Sequence, residues 1–455
     1  MLRLSTLPGS LTRLLEPFRP CFTAPTFQTF VVLVAGLIAQ TAVRTVCGML
    51  AGAGLTRAWH HARAHRFFTA ARWDLDQVGL ALLRLIIGWL VPVGAPLVIA
   101  IDDTMFRRWG RKVHAAHWGY DGSLQTPTGS RKLARTGRPK LSRGNCFVVA
   151  AVVVELPFAD RPVALPVLMR LWRKGGPTKT MLAHDLIDKL AAATHNTGCG
   201  GRALHVVADS TYICNQLRHL PAQVTLTGPM PCHAALWHLH PDLDRLIRTG
   251  RHRGRPRLIG DKIGTPGRLR ACTPARPVTV TRYGRTATVT VHEQRCLWRG
   301  VFGTRPVRAI LITEPRHPAL ALVTTDPATA TDAIIERYAS RWAIEVCFSD
   351  AKNITGVGQA RNRTPRAVER TVPFGFLTQS IVIIWYYLAG HHPAVVADHR
   401  RRAPWYTTKA APSYADMLAK LRRVLIAAQY RPGVPNRPTP EEIRAVHLAW
   451  AQAAA

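Results

Sequence analysis

Leu97-Val98-Ile99-Ala100-Ile101-Asp102-Asp103-Thr104 is the stretch on which the reading of the fold turns. Five apolar residues rich in Val and Ile, free of charge, predict a buried strand. It is expected to end where the two carboxylates begin. Open α/β sheets present reactive side chains just beyond the carboxyl ends of their strands, so an adjacent acid pair there is a candidate metal ligand. Val206-Val207-Ala208-Asp209-Ser210 has the same form: a predicted strand, Leu204 to Ala208, followed at once by an acid. An Asp after a strand more often caps the next turn. Two such strand ends in one region favour a shared acidic site.

A third acid comes from a predicted helix running from about Thr329 through Lys352. Tyr338, Arg341, Glu345 and Lys352 stand on it at offsets of 0, 3, 7 and 14 residues. At about 100° per residue these fall within roughly 60° of one another and share a face. The plain alternative is a salt-bridged surface stripe, with Trp342, Ile344 and Phe348 supplying the core side.

Working outward, residues 1–92 read as a helical N-terminal region that binds DNA. Its apolar runs, Val31 to Ile38 and Val78 to Leu90, are separated by the basic, aromatic stretch Arg57 to Arg72. Residues 93–228 and 327–390 read as an α/β core with a mixed sheet. Its further strands are expected near Val113 to Trp118, Cys146 to Leu156 and Val224 to Leu226, and its helices at Met181 to Ala193 and Val372 to Leu388. Residues 229–326 read as a β-rich insertion, with strands near Val278 to Thr281, Thr286 to His292, Ala309 to Thr313 and Leu320 to Thr324. Residues 391–455 form a basic, helical C-terminal region, with helices near Tyr414 to Gln429 and Pro440 to Ala454.

Composition narrows the partners. The 455 residues carry 61 Lys and Arg against 26 Asp and Glu, a net charge of +35, with 47% hydrophobic content that excludes a disordered basic tail. A folded polycation repels itself, and the usual reason to carry such charge is a polyanion that releases counterions on contact. Double-stranded DNA is the expected partner. A ribosome-like structural binder would also be basic, and a high-GC genome would favour Arg over Lys without explaining the scarcity of acids. Nine Cys without a CxxC pair argue against a disulfide framework and a zinc ribbon, and fit a reducing cytoplasm. Cys232, His233, His238 and His240 lack the second paired knuckle of a structural zinc site. The apolar run Phe30 to Val43 is shorter than the roughly 20 residues a membrane span needs. No targeting segment and no membrane association are expected, and the location is read as cytoplasmic, on the nucleoid.

Basic and aromatic motifs surround the core. Arg253 and Arg255, in Arg251 to Arg257, form an Arg-Gly-Arg-Pro pattern like a minor-groove hook, and Thr136 to Lys140 is a similar loop. Both are equally readable as solvated loops. Trp298 is a candidate for stacking on an unpaired base, against burial in a β-rich core. Trp59 to Arg66 is a candidate for reading DNA ends, against a solvated helix face.

Tyr338-x-x-Arg341-x-x-x-Glu345, followed by six residues and Lys352, resembles the Tyr-Arg-Glu-Lys signature of a large group of DDE transposases of bacterial insertion sequences. The resemblance covers about Pro96 to Arg370, with clear motifs near the three acids. It implies a ribonuclease-H-like mixed sheet whose first and fourth strands end in acids, with the signature Glu on a late helix after a β-rich insertion. On that reading Asp103, with Asp102 as the alternative, joins Asp209 and Glu345 as catalytic residues and ligands of Mg²⁺, for which Mn²⁺ can substitute. Arg341, Lys352 and Tyr338 would contact DNA. The implied activity is metal-dependent strand cleavage and strand transfer at transposon ends by a homodimer that brings two ends together. A DNA-binding regulator derived from an inactive transposase would keep the basic patches; other ribonuclease-H-like nucleases and RNA binders lack a reason for this spacing.

Overall fold

In the computed structural model, residues 7–121, 141–196, 201–239, 259–429 and 444 are described. Five helices come first: α1 (Gly9–Leu15), α2 (Ala24–Ala39), α3 (Val46–Gly52), α4 (His61–Thr69) and α5 (Leu75–Leu90). They lead into β1 (Leu97–Arg107), β2 (His117–Tyr120), β3 (Leu141–Val154) and β4 (Val163–Leu171), then α6 (Lys179–Asn196), β5 (Leu204–Ala208) and β6 (Val224–Pro229).

β1 does not stop at the acids. Its parallel pairing with β5 ends at Ile101↔Ala208, but its antiparallel pairing with β3 continues from Val98↔Val153 to Arg107↔Gly144. A polar side chain can leave an apolar run without ending the backbone ladder, which is why the sequence places the strand end too early. β3 also pairs antiparallel with β4, and β5 pairs in parallel with β6. The order β4-β3-β1-β5-β6, three antiparallel strands and then two parallel to the first, is the ribonuclease-H-like arrangement.

The third strand of that set is β4, not the expected segment near Val113 to Trp118, of which only His117 and Trp118 fall in the short strand β2. Pro166 hides β4 in the sequence, since it cannot donate to a ladder. It is accommodated where the register with β3 shifts between Ala150 and Ala151, at a bulge.

The remaining strands are β7 (Leu236–Leu239), β8 (Ile259–Gly264), β9 (Arg276–Arg282), β10 (Arg285–Leu297), β11 (Pro306–Thr313) and β12 (Leu320–Thr324). They lengthen the same sheet instead of standing apart: β12 pairs with β6 through Leu322↔Pro229 to Thr324↔Thr227, and β11, β10, β7 and β8 follow outward, with β9 on β10.

The long helix expected from Thr329 to Lys352 is two helices, α7 (Thr331–Ser340) and α8 (Trp342–Asp350), with Arg341 at the join. A π-turn, Ala351–Thr355, follows and is closed by Gly356 at φ 69°, a left-handed conformation that glycine adopts without steric cost. Then come α9 (Pro365–Trp385), α10 (Ala394–Arg402) and α11 (Tyr414–Gln429).

The pleat sorts β1 into two faces. Ile99 and Ile101 pack in one core with Val206, Ala208 and the α6 residues Ala183, Leu186 and Ile187. Ala100 packs in the opposite core with Val149, Val207 and the α8 residues Ala343, Ile344 and Phe348. Each fully buried aliphatic side chain contributes roughly 2 kcal/mol, so both helices are firmly seated.

The helical N-terminal region is not separate from the core. Phe30 and Phe68 meet the ring of Phe374 on α9 at 6.1 and 5.3 Å. Arg370 donates to the carbonyl oxygens of Ala71 and Trp73. Arg422 of α11 donates to Ile38 O at 2.7 Å, closing the end of α2, so α11 belongs to the core as well. The apolar segment 365–390 is long enough to cross a membrane, but 78% of its apolar window is buried within the protein.

Candidate active site

Ile101↔Ala208 is the last parallel pair between β1 and β5, and the next residue on each chain is an acid: Asp102 and Asp209. Residues level with each other across a sheet point to the same face. That face is the one carrying Ala100 and Val207, beneath α8. From α8 comes Glu345, and from the α7–α8 join comes Arg341. Arg341 Nη2 lies 2.8 Å from Glu345 Oε1, and Nη1 lies 3.4 Å from Asp102 Oδ2. The guanidinium therefore joins an acid of the strand to the acid of the helix.

Burial pushes the Asp102 carboxyl up to about 7, and the Asp103 and Glu345 carboxylates add to the rise. The Asp103 N–H, donated to Asp102 Oδ1 at 2.8 Å, and the Arg341 charge oppose it. Burial also works against the charge on Arg341, but Tyr338, Glu345 and Asp102 more than offset it and hold its pKa above the ordinary value. Asp209 Oδ1 accepts from the Ser210 N–H at 2.6 Å, so the acid does cap the turn after its strand. Its charge also reaches Tyr338, whose hydroxyl is raised by burial first and by Asp209 among lesser causes. Capping and membership of the acidic face are compatible.

Asp103 points to the opposite face. Its Oδ2 is 2.6 Å from Lys179 Nζ at the start of α6 and 3.2 Å from Cys146 Sγ on β3. Its Oδ1 accepts from the Tyr212 hydroxyl at 2.9 Å. Burial pushes the Cys146 thiol up to about 12, so it remains a thiol beside the carboxylate. Sequence reading missed Lys179, Tyr212 and Cys146. The alternation of side chains along a strand, once the strand is extended through both acids, is the signal that separates Asp102 from Asp103.

Of the four residues aligned on the expected helix, Tyr338, Arg341 and Glu345 gather near the acids; the Arg341 guanidinium lies 6.0 Å from the centre of the Tyr338 ring. Lys352 lies farther along, over the Phe106 ring at 5.6 Å, with its pKa lowered by burial. The π-turn carries it off the regular helical spacing. Trp298 is 7% exposed and packs edge-on against Phe302 at 6.0 Å, an arrangement of core burial that leaves no open ring for a base. Arg63 stacks on Trp59 at 3.5 Å, while His61 and Arg66 are exposed. Arg253, Arg255, the loop Thr136 to Lys140 and the helix expected at Pro440 to Ala454 lie outside the described residues, apart from Arg444.

Among the described residues no three acidic, His or Cys side chains approach closely enough to hold one ion as they stand. Arg341 lies between Asp102 and Glu345. The donor chemistry nonetheless suits a hard divalent cation such as Mg²⁺, because the groups converging on this face are carboxylates that bind through oxygen. Arg341 would have to swing aside for all three to share the ion.

A family model described as DDE superfamily endonuclease matches residues 17–305. The matched segment includes Asp102 and Asp209 and ends before Glu345. Among solved structures, a piggyBac transposase synaptic complex with hairpin DNA is similar at 10% identity and a TM-score of 0.38, over 98% of this chain and 81% of that one. Among curated proteins none matches.

Proposed function

We propose, for a chain that belongs to the DDE superfamily endonucleases, that it is a transposase which cleaves and transfers DNA strands at the ends of an insertion sequence. The observation that carries this reading is the level placement of Asp102 and Asp209 on one face of the β1–β5 pair, with Glu345 tied to Asp102 through Arg341. The first catalytic acid on this reading is Asp102, and Asp103 supports it from the back of the strand.

Asp102, Asp209 and Glu345 would hold divalent metal, with Mg²⁺ the natural choice and Mn²⁺ a substitute. When bound, the metal supplies charge stabilisation to the attacking and leaving oxygens of a phosphodiester. The chain's own residues do the rest. Arg341 neutralises two carboxylates in the free protein and, once released, is placed to grip the phosphate next to the cut. The Tyr338 hydroxyl positions the backbone beside Asp209. Lys352 meets a phosphate farther along the strand. Strand transfer requires only that a freed 3′ hydroxyl re-enter the same face, so no protein side chain need form a covalent bond.

The test incubates purified protein with duplexes carrying the ends of its own element, with Mg²⁺ or with a chelator, and resolves the strands on a denaturing gel. Nicks at the element boundary that require metal and vanish in Glu345→Gln, while that variant still binds the duplex, are expected. Wild-type protein that binds the ends but never cuts them, with Mn²⁺ also supplied, overturns the enzyme and favours a regulator built on the same scaffold.

A further inference from the structure

The outer edge of the sheet exposes aromatic rings that no part of the acidic site uses. Trp118 and Tyr120 on β2 are each 70% exposed, and Trp109, in the turn between β1 and β2, is 93% exposed. Such large apolar rings are costly to leave in water, and several together mark an interaction surface.

Their placement follows from register. Asp102 is opposite Val149 on β3 and Phe106 is opposite Asn145, so the alternate residues Arg143 and Leu141 continue the same face. Trp118 pairs with Arg143 and Tyr120 with Leu141. Both rings therefore stand on the face that carries Asp102. Six residues of β3 separate the level of Asp102 from that of Trp118, roughly 20 Å at about 3.3 Å per residue. Lys352 lies along the way, above Phe106.

The surroundings are basic. Arg111 and Lys112, in the turn that follows Trp109, are exposed. The Arg143 guanidinium donates to Gly110 O at 2.7 Å and Arg111 O at 2.9 Å, pinning the turn that presents Trp109. Cations interleaved with open aromatic rings fit a strand of nucleic acid, whose phosphates meet the charges while its bases stack on the rings. Trp298, the stacking candidate of the sequence, is buried; these rings are open.

We propose that Trp118 and Tyr120, flanked by Trp109 and Arg143, form a stacking platform for unpaired bases of the DNA strand that runs to the acidic site. The platform rests on the reading of this chain as a DNA-cutting enzyme for its position, and its own test reads base stacking without cleavage. Full-length protein is titrated, by fluorescence anisotropy at fixed salt, with labelled oligothymidylate, with an abasic strand of equal length and with a duplex. Wild type should prefer oligothymidylate to the abasic strand by about tenfold or more. W118A/Y120A should lose that preference while binding the duplex within about threefold of wild type, since its charges are untouched. W118F/Y120F should restore the preference, because the rings return.

An unchanged preference in W118A/Y120A overturns the platform. So does a wild-type dimer that becomes monomeric in W118A/Y120A by sedimentation with strand binding intact, which makes this face an interface between copies of the chain. A platform that behaves as expected in a protein that never nicks its ends leaves this inference standing and removes the enzymatic reading.

Discussion

Asp102 and Asp103 are consecutive, yet they meet different chemistry because a strand turns successive side chains to opposite faces. Asp102 joins Arg341 on the α8 side; Asp103 joins Lys179 and Tyr212 on the α6 side. Tyr212 is three residues beyond Asp209, so the bond from its hydroxyl to Asp103 ties the segment after β5 to the strand that bears Asp102. Lys179 neutralises the acid at the centre of that brace. Lys179→Met should lower stability by about 1 kcal/mol, a modest figure because both side chains retain some solvent contact. In Lys179→Met/Asp103→Asn the loss should be smaller than the two single losses combined, since neither charge is then left alone. Urea denaturation of the four proteins checks this; additive losses would mean that the pair is not coupled. The strand-end position of the acids was readable in the sequence, but which of two adjacent acids faces Glu345 was not. That depends on β1 continuing to Arg107, and nothing in the apolar run Leu97 to Ile101 announces the continuation.

At the scale of elements, α8 must carry Glu345 to the sheet and also pack against the helices behind it. Its last residue, Asp350, is held by burial at about 6, well above its ordinary carboxylate range; the Tyr414 hydroxyl on α11 is raised by burial first, with the Asp350 charge adding to the rise. A carboxyl whose folded pKa exceeds its unfolded value makes the folded chain hold the extra proton between the two. Stability from this group therefore falls as pH rises from the ordinary carboxylate range through about 6. Asp350→Asn should raise stability at pH 7 by roughly 1–3 kcal/mol, and the gain should fade below about pH 5. Thermal melts of both proteins across that range decide it; a gain independent of pH, or none, would place the carboxyl in a more polar setting. The helices α8 and α9 were legible from their apolar spacing. The break at Arg341 was not, because Arg341 keeps helical angles, φ −51° and ψ −34°, and only the hydrogen-bond pattern changes.

Across the whole molecule, the N-terminal helices, the strands of the sheet and α11 pack together. One sheet runs from β2 to β8, and α2, α9 and α11 share a core in which Arg370 and Arg422 close carbonyls of the N-terminal helices. Periodicity identifies each helix but cannot say which distant helix covers its apolar face. β4 escaped notice for a local reason, Pro166 at a bulge, and the union of insertion and core for a long-range one, the β6–β12 pairing. The result is an acidic face held by a sheet and several helices within a chain of net charge +35, the setting in which metal-bound carboxylates could act on a polyanion. The most direct measurement is metal-dependent nicking of the element's end DNA by Asp102→Asn, Asp103→Asn, Asp209→Asn and Glu345→Gln beside wild type, with duplex binding recorded for each. Nicking should fall about a hundredfold or more in the Asp102, Asp209 and Glu345 variants with binding intact, and less in Asp103→Asn. Normal nicking by Asp102→Asn, with the loss in Asp103→Asn instead, would make Asp103 the first catalytic acid and overturn the assignment of Asp102.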